Sequence, residues 1–258
     1  MPGPVRLLAW ALYALILLPI VMVLGASLTA GGFLTFPPQG LSLRWWQAML
    51  IDRELLRGLM ISLRIATLTL VISVPVGALA AIFLDRQNAR WRNALVPVLT
   101  APLSVPLVLT GFALLVFFTR LGLLNETGLV LGHVVVSVPY VIRSALVSLS
   151  LSDRTLARAA EVHGANPAQV IWKVTLPMMR HGLISGGLFA FLASLNNIVV
   201  SVFIAKPGVI PFPVVLFSRM ENLAEPSVAA ASTLVIVLTA VLCMLLEWRY
   251  DLFRSLAR

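Results

Sequence analysis

The chain has 258 residues, of which 60% are hydrophobic and 11% are charged, and its formal net charge at pH 7 is +9. Charged residues make up about a quarter of an average soluble domain, so this composition excludes an ordinary soluble protein and indicates an integral membrane protein. The single cysteine, Cys243, excludes an intramolecular disulfide, and the sequence contains no cluster of cysteine and histidine with the spacing of a metal site.

Six stretches of the chain carry no formal charge, with His counted as neutral, and they predict the transmembrane segments. In chain order they cover residues 7–43, 65–84, 93–119, 127–142, 183–205 and 226–246. A helix needs about 20 apolar residues to cross a bilayer, and the fourth stretch reaches that length if it continues past Arg143. Backbone groups find no water in lipid, and the alternation of barrel strands is not evident. The sequence therefore predicts an all-α protein with six transmembrane helices.

The basic residues predict the orientation of these helices. If the N-terminus lies in the cytoplasm, one side of the membrane receives a large excess of bases, whereas acids largely balance the bases on the other side. The bases on the first side are Arg6, Arg86, Arg90, Arg92, Arg154, Arg158, Lys173, Arg180, Arg249, Arg254 and Arg258. The positive-inside rule then places both termini in the cytoplasm. This topology explains the net charge without a nucleic-acid partner.

Glycines and prolines fall within the predicted helices. Gly182, Gly186 and Gly187 lie with Ser185 at the start of the fifth stretch, and such small residues favour close helix packing in a membrane. The prolines within predicted helices are Pro75, Pro97, Pro102, Pro106 and Pro139. Proline lacks the N–H donor and kinks helices, although it is also frequent in membrane helices generally.

A polar loop at residues 151–182 separates the fourth and fifth stretches. Asn166, Pro167 and Gln169 have the pattern of a helix cap, a first helical residue and a capping-box partner, and Gly164 ends the helix before them. Two short helices joined by a glycine corner predict a rigid docking surface. A DNA-binding helix-turn-helix is one alternative, but the neighbouring membrane segments would hold it against the bilayer. A plain connector is the other.

The loop resembles the cytoplasmic loop of ABC importer permeases, which reads Glu-Ala-Ala, three residues, Gly, nine residues, Ile-x-Leu-Pro. The matching residues are Arg158-Ala159-Ala160, Gly164 and Val174-Thr175-Leu176-Pro177, so that Arg158 replaces the leading Glu of the family. Residues 42–46, 106–111 and 206–208 are also similar to the polyamine-type branch of these permeases.

This resemblance implies a type I importer fold, with one permease domain over residues 1–258, in the bacterial inner membrane. It also implies a second homologous permease, two cytoplasmic ATPase subunits and an external, periplasmic binding protein as partners. The chain has no Gly-x-x-x-x-Gly-Lys-Ser/Thr loop, so we expect no cofactor and no enzymatic activity in this chain, with ATP and Mg bound by the ATPase subunits. In the family the loop sits in a groove of the ATPase. The candidate coupling residues are Arg158, Ala159, Ala160, Glu161, Gly164, Leu176 and Pro177.

The resemblance implies a polyamine or a related amine as the solute. An aminophosphonate, an amino-acid-like compound and iron are alternatives. Polyamine-type relatives often carry an acid after the proline of the third helix and an Asp or Glu pair in the fifth, where this chain has Leu107 and Asn196 with Asn197. The two asparagines and Arg143 are the candidate path residues, because polar groups within a membrane segment must hydrogen-bond or face a cavity. The alternative for the asparagines is that they form hydrogen bonds between helices. The alternative for Arg143 is that it forms an ion pair or extends its charged end to the membrane interface.

Two other classes of protein have weaker support in the sequence. An intramembrane serine hydrolase would use Ser185 in its Gly-x-x-Ser-Gly context with His181 one turn earlier, while His133 is expected at the opposite membrane interface. A secondary carrier would show paired inverted halves or acids within the membrane, and neither is evident.

Overall fold

A computed structural model of the protein describes residues 3–153, 155–222 and 225–250. Within those ranges the chain forms thirteen α-helices and no β-strand beyond two isolated bridges, which confirms the prediction of an all-α protein. The helices are α1 (Gly3–Ser27), α2 (Arg44–Ile51), α3 (Arg53–Asp85), α4 (Ala89–Leu99), α5 (Leu107–Leu121), α6 (Glu126–Ser150), α7 (Thr155–Val162), α8 (Pro167–Val170), α9 (Leu176–Met178), α10 (Arg180–Leu195), α11 (Ile198–Ile204), α12 (Phe212–Asn222) and α13 (Pro226–Tyr250). Arg154, Arg254 and Arg258, which contributed to the predicted orientation, lie outside the described residues.

Four of the described helices, α1, α3, α6 and α13, are long and apolar enough to cross a membrane. The short helices before α10 form a bent pair with it, which counts as a fifth crossing if both parts belong to one span. Helix length in the described chain therefore does not confirm six unbroken spans. The cytoplasmic placement of both termini stays a prediction.

Two predicted segments are broken at residues that disfavour a continuous helix. Pro106 lies directly before α5, and Pro102 lies in a 3₁₀ turn at Ala101–Leu103 that follows α4. Neither proline has the N–H group that a continuing helix requires. The fifth segment is broken between α10 and α11 at Asn196 and Asn197.

The chain forms two compact units. The terminal unit comprises Met1–Met60 with Phe212–Leu242, and the central unit comprises Ile61–Pro211 with Cys243–Arg258. The single permease domain over residues 1–258 stays a prediction about the subunit as a whole.

Helices α6 and α10 pack closely at the centre of the central unit. A Cβ added to Gly186 of α10 would lie 2.8 Å from Cα of Val141 on α6. A Cβ on Gly77 of α3 would lie 2.6 Å from Cβ of the same valine. Larger side chains at these glycines would push the helices apart, so the predicted small-residue face of the fifth segment is confirmed.

His133 is buried in the central unit. It is 1% exposed, with Nδ1 2.8 Å from Oγ of Ser194 and Nε2 3.1 Å from Oγ of Ser201. The Ser194 hydroxyl in turn lies 3.4 Å from Oγ1 of Thr69 on α3. α10 and α11 therefore supply the hydroxyl partners that a buried imidazole needs, and the position of His133 near a membrane interface stays a prediction.

In the terminal unit, Arg219 of α12 is hydrogen-bonded to the beginning of α3. Its guanidinium donates to both carboxylate oxygens of Asp52, at 2.7 and 3.1 Å, and to Glu54 at 2.6 Å. Asp52 also accepts from the N–H groups of Glu54 and Leu55 in the first turn of α3. Burial alone would raise the pKa of Asp52, but the hydrogen bonds from Arg219 and from the backbone outweigh it and lower the pKa. Arg219 thus holds α12 against the first turn of α3.

Replacing Arg219 with Gln should destabilise the protein by about 1–3 kcal/mol, because two charge-assisted hydrogen bonds to a partly buried carboxylate are lost. Thermal unfolding of the purified protein in detergent measures the change. Glu54→Gln is the matched control and should have a smaller effect, since the Glu54 side chain is 62% exposed.

The effect of Arg219→Gln should depend on pH. The lowered pKa of Asp52 means that its stabilisation is present above the unfolded-state value of about 4 and is lost as pH falls through the folded-state value. The difference between wild type and variant should therefore shrink at acid pH. An unchanged difference throughout the range would contradict a role for the Asp52 carboxylate.

Candidate functional site

The loop between α6 and α10 has the predicted glycine corner. α7 ends in a Schellman motif, in which the N–H of Ala165 donates to the carbonyl of Ala160 and the N–H of Gly164 donates to that of Glu161, both at 3.0 Å. Gly164 has a φ of +83°, which side chains with a Cβ rarely adopt. An added Cβ would meet no atom within 4 Å. Backbone conformation, and not crowding, therefore requires glycine at this corner.

A capping box begins α8, as predicted. Asn166 Oδ1 accepts from the N–H of Gln169, and Gln169 Oε1 accepts from the N–H of Asn166, both at 2.9 Å. These bonds satisfy N–H groups that have no partner at the start of a helix. After a π-helical turn at Ile171–Thr175, the chain bends by 70° into α10. The loop is thus a folded element joined directly to a candidate membrane helix.

Most of the candidate coupling residues are exposed. Arg158, Ala159, Glu161, Gly164 and Pro177 are exposed, and Ala160 and Leu176 are half-buried. Leu176 packs against the apolar cluster that includes Leu149 of α6, so it anchors the loop. Two apolar residues that sequence reasoning missed, Val162 and Trp172, are 87% and 73% exposed. Large exposed apolar side chains are typical of a surface that a partner covers.

Arg158 lies among charges of both signs. With Glu161 it lines a cavity of about 250 Å³ between α7 and the ends of α3 and α6. Asp85 and Arg86, at the end of α3, line the same cavity. Arg158, which replaces the family's Glu, therefore lines the same cavity as two acidic residues, Glu161 and Asp85.

Three residues at positions singled out by the resemblance line one cavity. Leu107, Asn196 and Asn197 lie around a space of about 390 Å³ together with Tyr140 of α6. We call it the asparagine chamber. Its volume lies within the range of about 300–1,000 Å³ found for small-molecule sites. The breaks before α5 and after α10 place these residues in the chamber, whereas Tyr140 carried no sequence signal that distinguished it from an ordinary aromatic residue.

The two asparagines have different surroundings. Asn197 is 8% exposed, and its Oδ1 caps α11 by accepting from the N–H of Val200 at 2.9 Å. Asn196 is exposed, and its Nδ2 donates to the carbonyl of Leu192 at 3.2 Å. Oδ1 of Asn196 has no hydrogen-bond partner among the described residues. Asn197 therefore holds the helix break, and Asn196 offers a free acceptor to the chamber.

A second cavity of about 390 Å³ lies on the same two helices, nearer the loop. We call it the arginine chamber, because Arg143 lines it together with Ser144, His181 and Phe189. Phe189 stacks on Tyr140 of the asparagine chamber, with ring centroids 6.4 Å apart and planes at 30°. The lining residues of α6 recur at helical spacing, so the two chambers share one face of that helix. We call the groove between α6 and α10 that contains both chambers the α6–α10 cleft.

The structure gives Ser185 no catalytic arrangement. Its hydroxyl donates to the backbone carbonyl of His181 at 2.7 Å and is not hydrogen-bonded to an imidazole in the described chain. The ring of His133 is occupied by Ser194 and Ser201. A serine nucleophile needs a base within hydrogen-bond reach, so the hydrolase alternative loses its geometric basis.

Apolar helices of membrane-spanning length, a folded loop joined to α10, and cavities along the helices define a membrane transport subunit. Residues 73–258 match the family described as binding-protein-dependent transport system inner membrane component, and the chain belongs to that family. The resemblance of the loop to ABC importer permeases is thereby confirmed.

Relatives within the family transport different solutes. The chain is 33% identical over 205 residues to the putrescine transport system permease protein PotI of Escherichia coli, covering 76% of this chain and 73% of PotI. It is 28% identical over 237 residues to the spermidine/putrescine permease protein PotC of Haemophilus influenzae, covering 92% of both. The molybdenum transport permease protein ModB of Mycobacterium bovis is 31% identical over 222 residues, covering 78% of this chain and 81% of ModB.

Solved structures show the same fold. A bacterial ABC transporter for the import of the acidic polysaccharide alginate contains a chain that matches with a TM-score of 0.69 at 17% identity, covering 96% of this chain and 95% of that one. The alginate transporter in complex with its alginate pentasaccharide-bound periplasmic protein matches with a TM-score of 0.71 at 15% identity, covering 95% and 93%. The family match and the similarity to PotI make the protein a permease subunit of an ABC importer in the inner membrane. The family is the membrane permease component of such transporters and not their catalytic component.

Replacing Gly164 with Val should abolish solute uptake and leave membrane insertion intact. A β-branched side chain disfavours the left-handed conformation by about 1–2 kcal/mol, so the corner between α7 and α8 would change shape. Uptake and co-purification of the ATPase are the measurements. Gly164→Asn should be tolerated better, since Asn adopts this conformation more readily.

Gly122→Val is the control for backbone strain away from the loop. Gly122 ends α5 with a φ of +67°, and an added Cβ there also meets no atom within 4 Å. Normal uptake and ATPase co-purification in Gly164→Val would show that the corner is only a connector.

Proposed function

We propose that this permease subunit imports a polyamine, such as putrescine or spermidine, or a related small amine that an external binding protein delivers. The main support is the similarity to the putrescine permease PotI and the spermidine/putrescine permease PotC, which extends over 76% and 92% of the chain. An aminophosphonate, an amino-acid-like compound, iron or another small solute is the alternative, and the similarity to the molybdenum permease ModB adds molybdenum to these candidates.

The asparagine chamber has the chemistry for weak contacts with an amine. An ammonium group donates up to three hydrogen bonds, and Oδ1 of Asn196 is a free acceptor. The ring of Tyr140 can attract a cation through its face, which contributes about 0.5–2 kcal/mol. No carboxylate lines the chamber in the described chain, so the long-range attraction of a negative charge is missing. We therefore expect the binding protein to make the main selection and this chamber to pass the solute onward.

We also propose that the loop at residues 151–182 docks on a cytoplasmic ATPase subunit. The small exposed residues Ala159 and Gly164 permit close approach, and Val162 and Trp172 offer apolar surface to a partner. Two such ATPase subunits, with ATP and Mg, and a second homologous permease would complete the transporter. Because the loop leads directly into α10, a movement of the docked loop would reach the asparagine chamber through that helix.

Uptake of radiolabelled putrescine by the reconstituted transporter tests this function. With its own binding protein, permease partner and ATPase subunits, the transporter should take up putrescine, and loaded binding protein should stimulate ATP hydrolysis. The isolated chain should hydrolyse no ATP. Putrescine that neither enters the vesicles nor stimulates the ATPase, while molybdate or another solute does both, would overturn the polyamine assignment.

In the same assay, Asn196→Ala should lower the rate of uptake about tenfold, since one hydrogen bond to a charged group contributes about 1.5–3 kcal/mol. Asn197→Ala should also lower uptake, but through the loss of the α11 cap, which costs about 1 kcal/mol of stability. Neither variant should change which solute stimulates the ATPase. A switch of the preferred solute would instead reveal a selective site in this subunit.

A further inference from the structure

Arg143 is a basic residue in a candidate membrane helix without an ion-pair partner in the described chain. It lies on α6, seven residues before the helix ends at Ser150, which is about 10 Å along the helix axis. The residue is exposed, and none of the ion pairs among the described residues involves it. A charge within a membrane is costly unless it is paired or faces a polar cavity. The guanidinium is therefore available to a partner from outside the described chain.

The arginine chamber places further hydrogen-bond donors around this guanidinium. Ser144 and His181 line the chamber, and neither side chain has a hydrogen-bond partner among the described residues. By contrast, the hydroxyls of Ser148 and Ser185 donate to backbone carbonyls. No acid is among the described lining residues. The unpartnered side chains are thus a guanidinium, a hydroxyl and an imidazole, all of which can donate hydrogen bonds.

We propose that the arginine chamber binds an oxyanion group, either the phosphate of an anionic lipid or a dissolved phosphate-like anion. The planar guanidinium of Arg143 can donate two parallel hydrogen bonds to a phosphate, and Ser144 and His181 add donors beside it. Val147 and Leu151 form apolar walls that suit the glycerol and acyl part of a lipid. The position of Arg143 near the loop-side end of α6 matches the depth at which headgroups meet hydrocarbon, if the loop lies at the membrane surface.

This site has the opposite preference from the proposed amine path. Arg143 repels a cationic amine, whereas the asparagine chamber carries no charge among its described lining residues. If the solute is an amine, the asparagine chamber passes the solute and the arginine chamber holds an anionic lipid beside the loop. If the solute is an anion, the guanidinium of Arg143 binds the solute itself. The inference thus goes beyond the proposed function and does not depend on a polyamine as the solute.

Binding of defined probes to the delipidated transporter complex tests the site. The probes are dioleoyl phosphatidylglycerol, dioleoyl phosphatidylcholine as the zwitterionic comparison, and inorganic phosphate. Retained lipid is counted by native mass spectrometry, and phosphate binding is followed by the shift in the thermal unfolding midpoint. Wild type should bind phosphatidylglycerol or phosphate saturably, and Arg143→Gln should weaken that binding about tenfold.

Arg180→Gln is the matched control, because Arg180 is an exposed base next to His181 that does not line the chamber. It should bind the probes like wild type. Arg143→Lys keeps the charge if the neutral variant does not fold, and should bind more weakly than wild type because it cannot form the bidentate contact.

The probes separate the two sources of the oxyanion. Saturable phosphatidylglycerol binding with no response to phosphate identifies a lipid site, and a phosphate response that requires Arg143 identifies a site for a dissolved anion. Absence of saturable binding by either probe, or equal losses in Arg143→Gln and Arg180→Gln, would overturn the proposal. Putrescine uptake is measured separately, so failure of the polyamine assignment is distinguished from failure of this site.

Discussion

The close approach of α6 and α10 is the constraint on which both chambers and the loop depend. Lipid is as apolar as the helix surfaces, so helices associate in a membrane through tight packing and hydrogen bonds and not through hydrophobic burial. Gly186 provides that packing by letting the α10 backbone reach within van der Waals contact of Val141. The same helix pair carries the cleft along one face and receives the loop at one end. A change in the separation of α6 and α10 would therefore alter all three features together.

Interrupted helices are tolerated here because side chains satisfy the exposed backbone groups. Asn197 caps α11 at the break, and His133 joins Ser194 of α10 to Ser201 of α11 across it. In a membrane, irregular backbone persists where protein groups or a water-filled cavity supply the missing hydrogen bonds. The break between α10 and α11 has both kinds of support. The hydrogen bonds of His133 to Ser194 and Ser201 form a buried polar network, and the asparagine chamber is the adjoining cavity. This arrangement leaves Asn196 free to meet a solute while the structure around it stays satisfied.

Local features of the site were predictable from the sequence, and tertiary features were not. The capping box at Asn166 and the corner at Gly164 depend on residues within one turn, so the sequence pattern was sufficient. The break at Asn196 and Asn197 was missed because an uncharged stretch without proline is interpreted as one continuous segment. The hydrogen-bond partners of His133 were not predictable because they come from α10 and α11, and Tyr140 was overlooked because its role depends on the neighbouring helices. Arg143 was identified as unusual from its position alone, but its chamber required the packing of α6 against α10.

The central claim is that the asparagine chamber forms part of the solute path, and cysteine accessibility tests it most directly. In a Cys243→Ser background, a cysteine at position 196 would be treated with a membrane-impermeant maleimide in the reconstituted transporter, with and without trapped ATP. Val241 provides the comparison, since it is exposed on the apolar helix α13 and lines neither chamber. The account predicts that Asn196→Cys reacts in one nucleotide state and is protected in the other, while Val241→Cys reacts in neither. An Asn196→Cys that remains unreactive in both states, as a lipid-facing residue would, contradicts it.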